Sequence, residues 1–420
     1  MKTALLDNKK NDISIERLDL LVTPYQNKKL PVYDWYNYKH SFSRNLVKWL
    51  IQKFNLNKKN KVLDPFCGTG TTLLACKELG IRAVGIDILP LSVFISNAKL
   101  MRYDKLLIKK HIDKIEKLLS KKNKKVKFDE NDEKDEKIEI LKRFFPTHVL
   151  KKVLWVKDWI YNTNDEQLKY FFLTALFSIL EDISYTRKDG GFLRIIKKEK
   201  FENFNKIYIK RLWKMCNDVD FINNLPETET EAIIGDARKI RIRNNSFSAV
   251  ITSPPYLNRH DYTRVYLLEL LIGFVNSNEE VKKLRYETIR SHVEAREKFK
   301  LDGYIMPVKL EKCLKRLRRE SLPNAQTIRM IKGYFEDMYI TLRELYRVLR
   351  NKGKIAFVIG DVRYGGVVIP VSDILVEIAE NIGFYFVEKI VARVRGNSPQ
   401  QMRRYGKIPI EENILIWEKK

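Results

Sequence analysis

Lys61-Val62-Leu63-Asp64-Pro65-Phe66-Cys67-Gly68-Thr69-Gly70-Thr71-Thr72 is a short apolar run that breaks into a glycine-containing turn and then into a helical pattern. The stretch predicts a strand, a tight loop and a helix in succession. In an α/β chain such a turn lets backbone N–H groups at the helix start approach a ligand closely, and the strand's last residue, Asp64, presents an acid beside it. The loop is a cofactor seat, compatible on these residues alone with several cofactors.

Just beyond the loop, Thr72 to Leu79 reads as a helix stopping at Gly80, and Arg82 to Ile88 as a second buried strand carrying Asp87. Asp64 and Asp87 are 23 residues apart. A doubly wound fold puts an acid about 20 residues beyond the glycine turn, at the tip of its second strand, where a carboxylate accepts from both hydroxyls of a ribose. Asp87 also stands where a helix N-cap would, ahead of Pro90 and Leu91, and the two roles are compatible. Upstream, Leu46, Val47, Leu50 and Ile51 fall at helical spacing behind Ser43, a suitable N-cap. They follow an aromatic cluster, Tyr33 to His40, in which His40 reads as a loop histidine packed on its neighbours.

The α/β pattern resumes at Ala232-Ile233-Ile234-Gly235-Asp236-Ala237, a strand with a third terminal acid, and at Phe247 to Thr252. Ser253-Pro254-Pro255-Tyr256 follows directly. Two prolines at a strand's end forbid both helix and sheet hydrogen bonding and give a rigid extended turn. Later segments read as a helix over Ile328 to Leu349, a strand over Lys354 to Asp361, a helix over Ile369 to Ile382 ending at Gly383, and strands over Phe386 to Arg393 and Glu412 to Glu418.

Between these halves lies a helical and basic region. The mixed-charge tract Lys109 to Lys137 reads as a solvated helix face and connector. Helical patterns return over Phe145 to Ile160, Leu168 to Ile183 and Phe204 to Asn217. The loop Ser184 to Gly191 interrupts them, and its hydroxyls, cations and glycines suit either a phosphate-contacting loop or a plain exposed turn.

Lys plus Arg total 80 against 53 Asp plus Glu, a formal charge of +27 that points to a polyanionic partner, nucleic acid first. An apolar content of 44% supports a real core. The four scattered cysteines form neither a CxxC pair nor a cluster with histidines, so neither a metal site nor a disulfide framework is expected. Met1 to Asp12 is polar and no window sustains a membrane span, so a soluble, cytoplasmic protein without a membrane partner is expected.

Asp64-Pro65-Phe66-Cys67-Gly68-Thr69-Gly70-Thr71 together with Ser253-Pro254-Pro255-Tyr256 resembles the S-adenosylmethionine-dependent amino-methyltransferases of DNA. The likeness includes Asp87 and Asp236, extends upstream to His40-Ser41-Phe42, and fades over residues 106–227 and about 280–325. It implies an α/β, Rossmann-like class I methyltransferase sheet with helices on both faces. Residues 31–105 and 228–420 would form the catalytic domain, residues 1–30 a tail, and residues 106–227 a largely helical insertion that is the first candidate for target recognition.

The resemblance also implies roles. Asp64 and the loop backbone would hold the methionine part of S-adenosyl-L-methionine, Asp87 the ribose and Asp236 the exocyclic amine of the adenine. His40, Phe42, Pro65, Phe66, Gly68, Gly70, Thr71, Ile88 and Ala237 would complete the seat. An amine conjugated to a base ring is a poor nucleophile. Its N–H groups would donate to the Ser253 hydroxyl and the Pro254 carbonyl, freeing the lone pair for in-line attack on the methyl group. Pro255 would keep the turn rigid, and Tyr256 would stack on a base rotated out of the duplex. Cys67, away from this turn, is not placed as a nucleophile.

In the family, Ser at the first position of the S-P-P-Y element goes with cytosine N4, and Asp or Asn with adenine N6. Cytosine N4 is favoured and adenine N6 is the alternative; an RNA base N-methyltransferase and a non-catalytic DNA-binding protein are the remaining readings. The partner is double-stranded DNA, and a cognate restriction endonuclease belongs to the same kind of system. Arg187, Lys188, Asn258, Arg259 and Arg264 are the expected DNA contacts.

Overall fold

β-branched and apolar runs at the expected places become strands of one sheet, and the order in which they pair positions the site. The computed structural model describes residues 18–120, 135–196, 201–296, 299–320, 322, 324–396, 402–403 and 405–420. Most of the tail read over residues 1–30, and the core of the mixed-charge tract at 121–134, lie outside the described residues. Eleven strands occur among the described residues: β1 (Lys61–Asp64), β2 (Arg82–Asp87), β3 (Thr186–Asp189), β4 (Phe192–Ile195), β5 (Thr230–Ile234), β6 (Phe247–Thr252), β7 (Leu349–Gly360), β8 (Val362–Tyr364), β9 (Val367–Ile369), β10 (Phe384–Arg395) and β11 (Ile410–Lys419).

Seven of them form a sheet in the order β10-β11-β7-β6-β1-β2-β5. The five strands from β5 to β7 run parallel, whereas β11 runs antiparallel to both β7 and β10. From β1 the chain moves outward through β2 to β5, then returns to β6 on the other side of β1. The order therefore reverses between β1 and β6, and ligands of open α/β sheets bind beyond the carboxyl ends of strands at such a reversal. The glycine loop leaves β1 there and the Pro-Pro turn leaves β6 there, so two segments distant in sequence become neighbours.

Alternation along each parallel strand feeds two cores, as a sheet covered on both faces requires. Val62, Ala83, Ala249 and Ile251 face one, with the helices Arg44–Lys53 and Thr71–Glu78. Leu63, Val84, Val250 and Ile355 face the other, with the helices Thr327–Val348 and Val371–Ile382. The helices Thr147–Tyr161, Glu166–Ile183 and Phe204–Asn223 bury their apolar stripes in the first core. Phe94 of the helix Pro90–Leu100 stacks on Tyr170 of the helix Glu166–Ile183 at 4.5 Å between ring centres, and Trp35 meets Phe171 edge-on at 5.6 Å. These helices thus share a core with the sheet.

Two expectations change in detail. The loop read over Ser184 to Gly191 contains β3 and runs into β4 as an antiparallel hairpin. Asp236 stands two residues past the end of β5, in the connection that follows it.

Candidate active site

The glycine loop has its shape because two of its positions admit no side chain. Gly68 and Gly70 have φ of 50° and 78°, in the left-handed region that L-residues rarely occupy. A Cβ on Gly68 would stand 3.1 Å from a ring carbon of Tyr38, and one on Gly70 would stand 2.9 Å from Ser96 Oγ and 3.2 Å from its Cα. Gly70 opens the helix Thr71–Glu78 with no side-chain cap, so its first N–H groups stay available to a ligand.

Asp64 sits behind this loop. It is 2% exposed; its Oδ2 accepts from Thr72 Oγ1 at 2.6 Å, and its Oδ1 from Thr252 Oγ1 at 2.6 Å and from the Phe66 amide at 3.2 Å. Burial pushes its carboxyl up to about 6 even against these three donors. The carboxylate ties β1 to β6 and to the helix start. It does not line the pocket in front of the loop, so the expected direct hold on the methionine part gives way to a positioning role: its oxygens are already engaged by the protein.

Asp87 does face that pocket. Its Oδ2 accepts from the Gly68 amide and its Oδ1 from the Leu89 amide, both at 2.9 Å, so one carboxylate locks the loop and starts the next helix. Burial pushes it up to about 7. Pro65, Phe66, Gly68, Ile88 and Ala237 supply apolar and backbone walls, with His40 at one end. Asp236 lies opposite, held by Arg238, whose Nη2 donates to Oδ2 at 2.7 Å and whose Nη1 reaches Asp337 at 3.2 Å.

Tyr38 separates this pocket from a second cleft, lined by Ser41, Thr69, Thr71 and Lys99. Ser41 and Thr71 hydroxyls are 3.0 Å apart. Lys99 is 3% exposed; its ammonium donates to the Tyr33 carbonyl at 3.3 Å, and burial pushes it down to about 7. Gly70 itself lines neither of these two pockets.

A third pocket adjoins the first, and His40, Ser253 and Tyr262 line both. Pro254 and Tyr256 face it, and so does Phe42, which therefore falls on this side and not in the cofactor seat where it was expected. The Pro255 carbonyl accepts from the Tyr334 hydroxyl at 3.0 Å. Among the described residues nothing donates to the Pro254 carbonyl. The Tyr256 hydroxyl donates to Glu412 Oε1 at 2.7 Å, which fixes its ring, and the Ser253 hydroxyl faces the same phenol. His40 Nε2 meets His260 Nδ1 at 3.1 Å; burial holds His40 down at about 3, with His260 adding to the effect, so it is neutral across the working range.

The expected DNA contacts separate into distinct environments. Arg187 is exposed on β3. Lys188, one residue on, is 7% exposed and ion-paired with the buried Glu269, with Tyr36 OH 3.0 Å away; strand alternation turns it inward, so it is a core cation and not a DNA contact. Arg259 donates to Thr327 Oγ1 at 2.6 Å and lies over the Tyr364 ring. Arg264 is 47% exposed and pairs with Asp261 and Glu294. Asn258 lines the third pocket, its side chain 3.3 Å from His260 Nδ1.

Tyr38, Lys99, Tyr262, His260, Arg393, Arg395 and Glu412 were not singled out as site residues from the sequence, and the structure brings each to a pocket wall. For Tyr38 the signal was present in the aromatic cluster ahead of the loop. For Glu412 and the two arginines there was none, since alternation along β10 and β11 carries no mark of which neighbouring turn they meet.

A family model described as DNA methylase matches residues 7–97. The Type II methyltransferase M.BsoBI of Geobacillus stearothermophilus is 32% identical over 95% of this chain and 88% of its own length. The Type II methyltransferase M.AvaI of Nostoc sp. is likewise 32% identical, over 96% of this chain and 90% of its own. The Type II methyltransferase M.MvaI of Kocuria varians is 26% identical over 47% of this chain and 46% of its own. With the glycine loop and the Ser-Pro-Pro-Tyr turn meeting at the sheet's reversal, and with near full-length likeness to two such enzymes, the chain belongs to the amino-methyltransferases of DNA.

Proposed function

We propose that the chain transfers a methyl group to the N4 amine of a cytosine rotated out of double-stranded DNA. The observation that carries this reading is the shared wall: Ser253 lines both the pocket in front of the glycine loop and the pocket around Tyr256. A group on that wall touches donor and acceptor at once, which group transfer requires.

The methyl donor of this family is S-adenosyl-L-methionine, and the seat fits it. The turn at Gly68 and Gly70 leaves the first N–H groups of the following helix without a side-chain cap, Asp87 and Asp236 face a pocket walled by Pro65, Phe66, Ile88 and Ala237, and the cleft beyond Tyr38 carries hydroxyls and a buried ammonium suited to an amino acid's polar end. When bound, this donor supplies an electrophilic methyl group on a sulfonium. Asp87 would accept from its ribose hydroxyls, while Asp64 keeps the loop in place from behind.

On the acceptor side, the Ser253 hydroxyl and the Pro254 carbonyl each accept one N–H of the amine. That draws its lone pair out of conjugation and aims it across the wall. The rigid Pro-Pro turn keeps these two acceptors at fixed separation at no ordering cost during the reaction. Tyr256, tethered to Glu412, gives the base a face to stack on. Ser at position 253, in place of the carboxylate or amide that accompanies adenine N6, supports cytosine N4. The basic charge and the sharing of a core between insertion and sheet support residues 106–227 as part of the DNA-reading surface, with a cognate endonuclease completing a restriction-modification pair.

The test is to incubate the full chain with labelled methyl donor and, in parallel, unmethylated bacterial DNA or bacterial RNA, then identify the methylated nucleoside by mass. N4-methylcytosine is expected. N6-methyladenine overturns the base assignment, and label found in RNA alone overturns the DNA reading.

A further inference from the structure

The pocket around Tyr256 contains an ionic cluster whose two arginines take no part in the transfer described above. Glu412 of β11 is 3% exposed. Its Oε1 is held by Tyr256, while its Oε2 accepts from Arg393 Nε at 2.9 Å and Nη2 at 2.6 Å. Arg395, two residues along β10, stands 3.6 Å from the same Oε2 and is 41% exposed. Its guanidinium lies beside the tyrosine ring: a Cβ on Gly360 would stand 3.1 Å from Arg395 Nη2 and 3.2 Å from Tyr256 Cε2.

A buried carboxylate is stable only when paired and hydrogen-bonded, and one bidentate guanidinium does that. Arg393 fills this role for Glu412. Arg395 pairs with it at 3.6 Å, beyond hydrogen-bond distance, and among the described residues no hydrogen bond holds its donors, which leaves them to whatever enters the pocket that it lines with Ser253 and Pro254. A guanidinium is a planar fork of donors with no acceptor, and its best partner presents two acceptors in one plane.

We propose that Arg395 reads the target base by donating to the N3 and O2 atoms of the cytosine whose N4 amine is held at Ser253 and Pro254, with Glu412 as the positioning residue that fixes Arg393 and the Tyr256 ring. The proposal rests on the cytosine-N4 reading. Cytosine carries two acceptors, N3 and O2, next to its amine on one edge. Adenine carries N1 alone next to its amine, followed by C2–H, so the fork is satisfied by cytosine and half-satisfied by adenine. No bond is made or broken by Arg395.

The test uses the full chain, with S-adenosylhomocysteine present so that binding is read without reaction. The methylated site is first mapped on bacterial DNA, and a synthetic duplex with that site is compared with one carrying 3-deazacytosine at the target. Arg395→Ala is expected to weaken binding of the cytosine duplex by about tenfold, as loss of a bidentate base contact does. The dissociation constant for S-adenosyl-L-methionine is expected to stay within about twofold, because Arg395 lies outside the cofactor pocket. 3-Deazacytosine is expected to weaken wild-type binding and to add little to the loss in Arg395→Ala, because both remove one contact. Arg395→Lys is expected to recover part of the loss. Unchanged binding in Arg395→Ala, or losses that add in full, overturns the role of Arg395 with N4-methylcytosine still the product. N6-methyladenine as the product overturns the reading on which the proposal rests.

Discussion

The two pockets that meet at Ser253 are built in opposite ways. The cofactor seat is made mostly of backbone and of side chains within a few residues of a strand end: Pro65, Phe66 and Gly68 after β1, Asp87 and Ile88 at the tip of β2, Gly235 to Ala237 after β5. The acceptor pocket is assembled from distant pieces, with Lys39 to Phe42, the turn after β6, Arg393 and Arg395 of β10 and Glu412 of β11. A seat built on chain geometry tolerates little change at its glycines. A pocket built on side-chain tethers loses function piecemeal, and in different observables.

The cofactor side breaks most sharply at Gly70. Gly70→Val forces a β-branched residue to φ of 78° and into Ser96; backbone strain alone of about 3 kcal/mol corresponds to about a hundredfold. S-adenosyl-L-methionine binding measured by calorimetry is expected to fall by at least that factor, and with it all turnover.

On the acceptor side, Ser253→Ala is expected to lower kcat about a hundredfold, the scale of losing one polarising hydrogen-bond partner, while the cofactor's dissociation constant stays within about twofold. Full activity in single-turnover kinetics would refute the role given to the hydroxyl.

The two acids of the cofactor side make a smaller, pH-dependent signature. Asp64 and Asp87 are raised to about 6 and about 7 by burial, so the folded protein without ligand holds protons that the unfolded chain has released. The stability these two acids contribute is accordingly greatest below about pH 4 and is lost as pH rises through about 7. Hydroxyl donors on the ribose favour ionised Asp87. Binding of S-adenosyl-L-methionine near pH 6.5 is therefore expected to release a proton, seen as a binding enthalpy that changes with the buffer's ionisation enthalpy. A buffer-independent enthalpy would remove Asp87 from that contact.

Arg187 is expected to show the smallest effect. Exposed and next to a lysine that faces inward, Arg187→Ala is expected to reduce the slope of log binding against log salt by about 1 and leave base selectivity alone. An unchanged slope would exclude the β3–β4 hairpin from the DNA surface. The same substitution at Lys188 acts on stability instead, because it strands Glu269 in the core.

These contrasts mark what was legible in advance. The glycine loop, the acid at the tip of β2 and the Pro-Pro turn are local: each follows from chain geometry within about ten residues, so the strand-loop-helix reading and the pairing of two motifs pointed to the family before any contact was known. Reading Asp64 as a ligand of the cofactor was the natural local inference. The buried hydroxyls of Thr72 and Thr252, one of them 188 residues away, turned it into a brace. Lys188 failed as a DNA contact for a similar reason, since a loop reading says nothing of which way a residue faces and the hairpin's alternation decided it.

The glycine loop, the acid at the tip of β2 and the rigid Pro-Pro turn were set by local sequence, because glycine conformations, proline rigidity and strand-terminal acids act over short stretches of chain. What lines the pocket around Tyr256 follows from the fold alone. The antiparallel return of β11 between β7 and β10 carries Glu412 and the two arginines to the Ser253 turn, and strand order is a global property that no local pattern encodes.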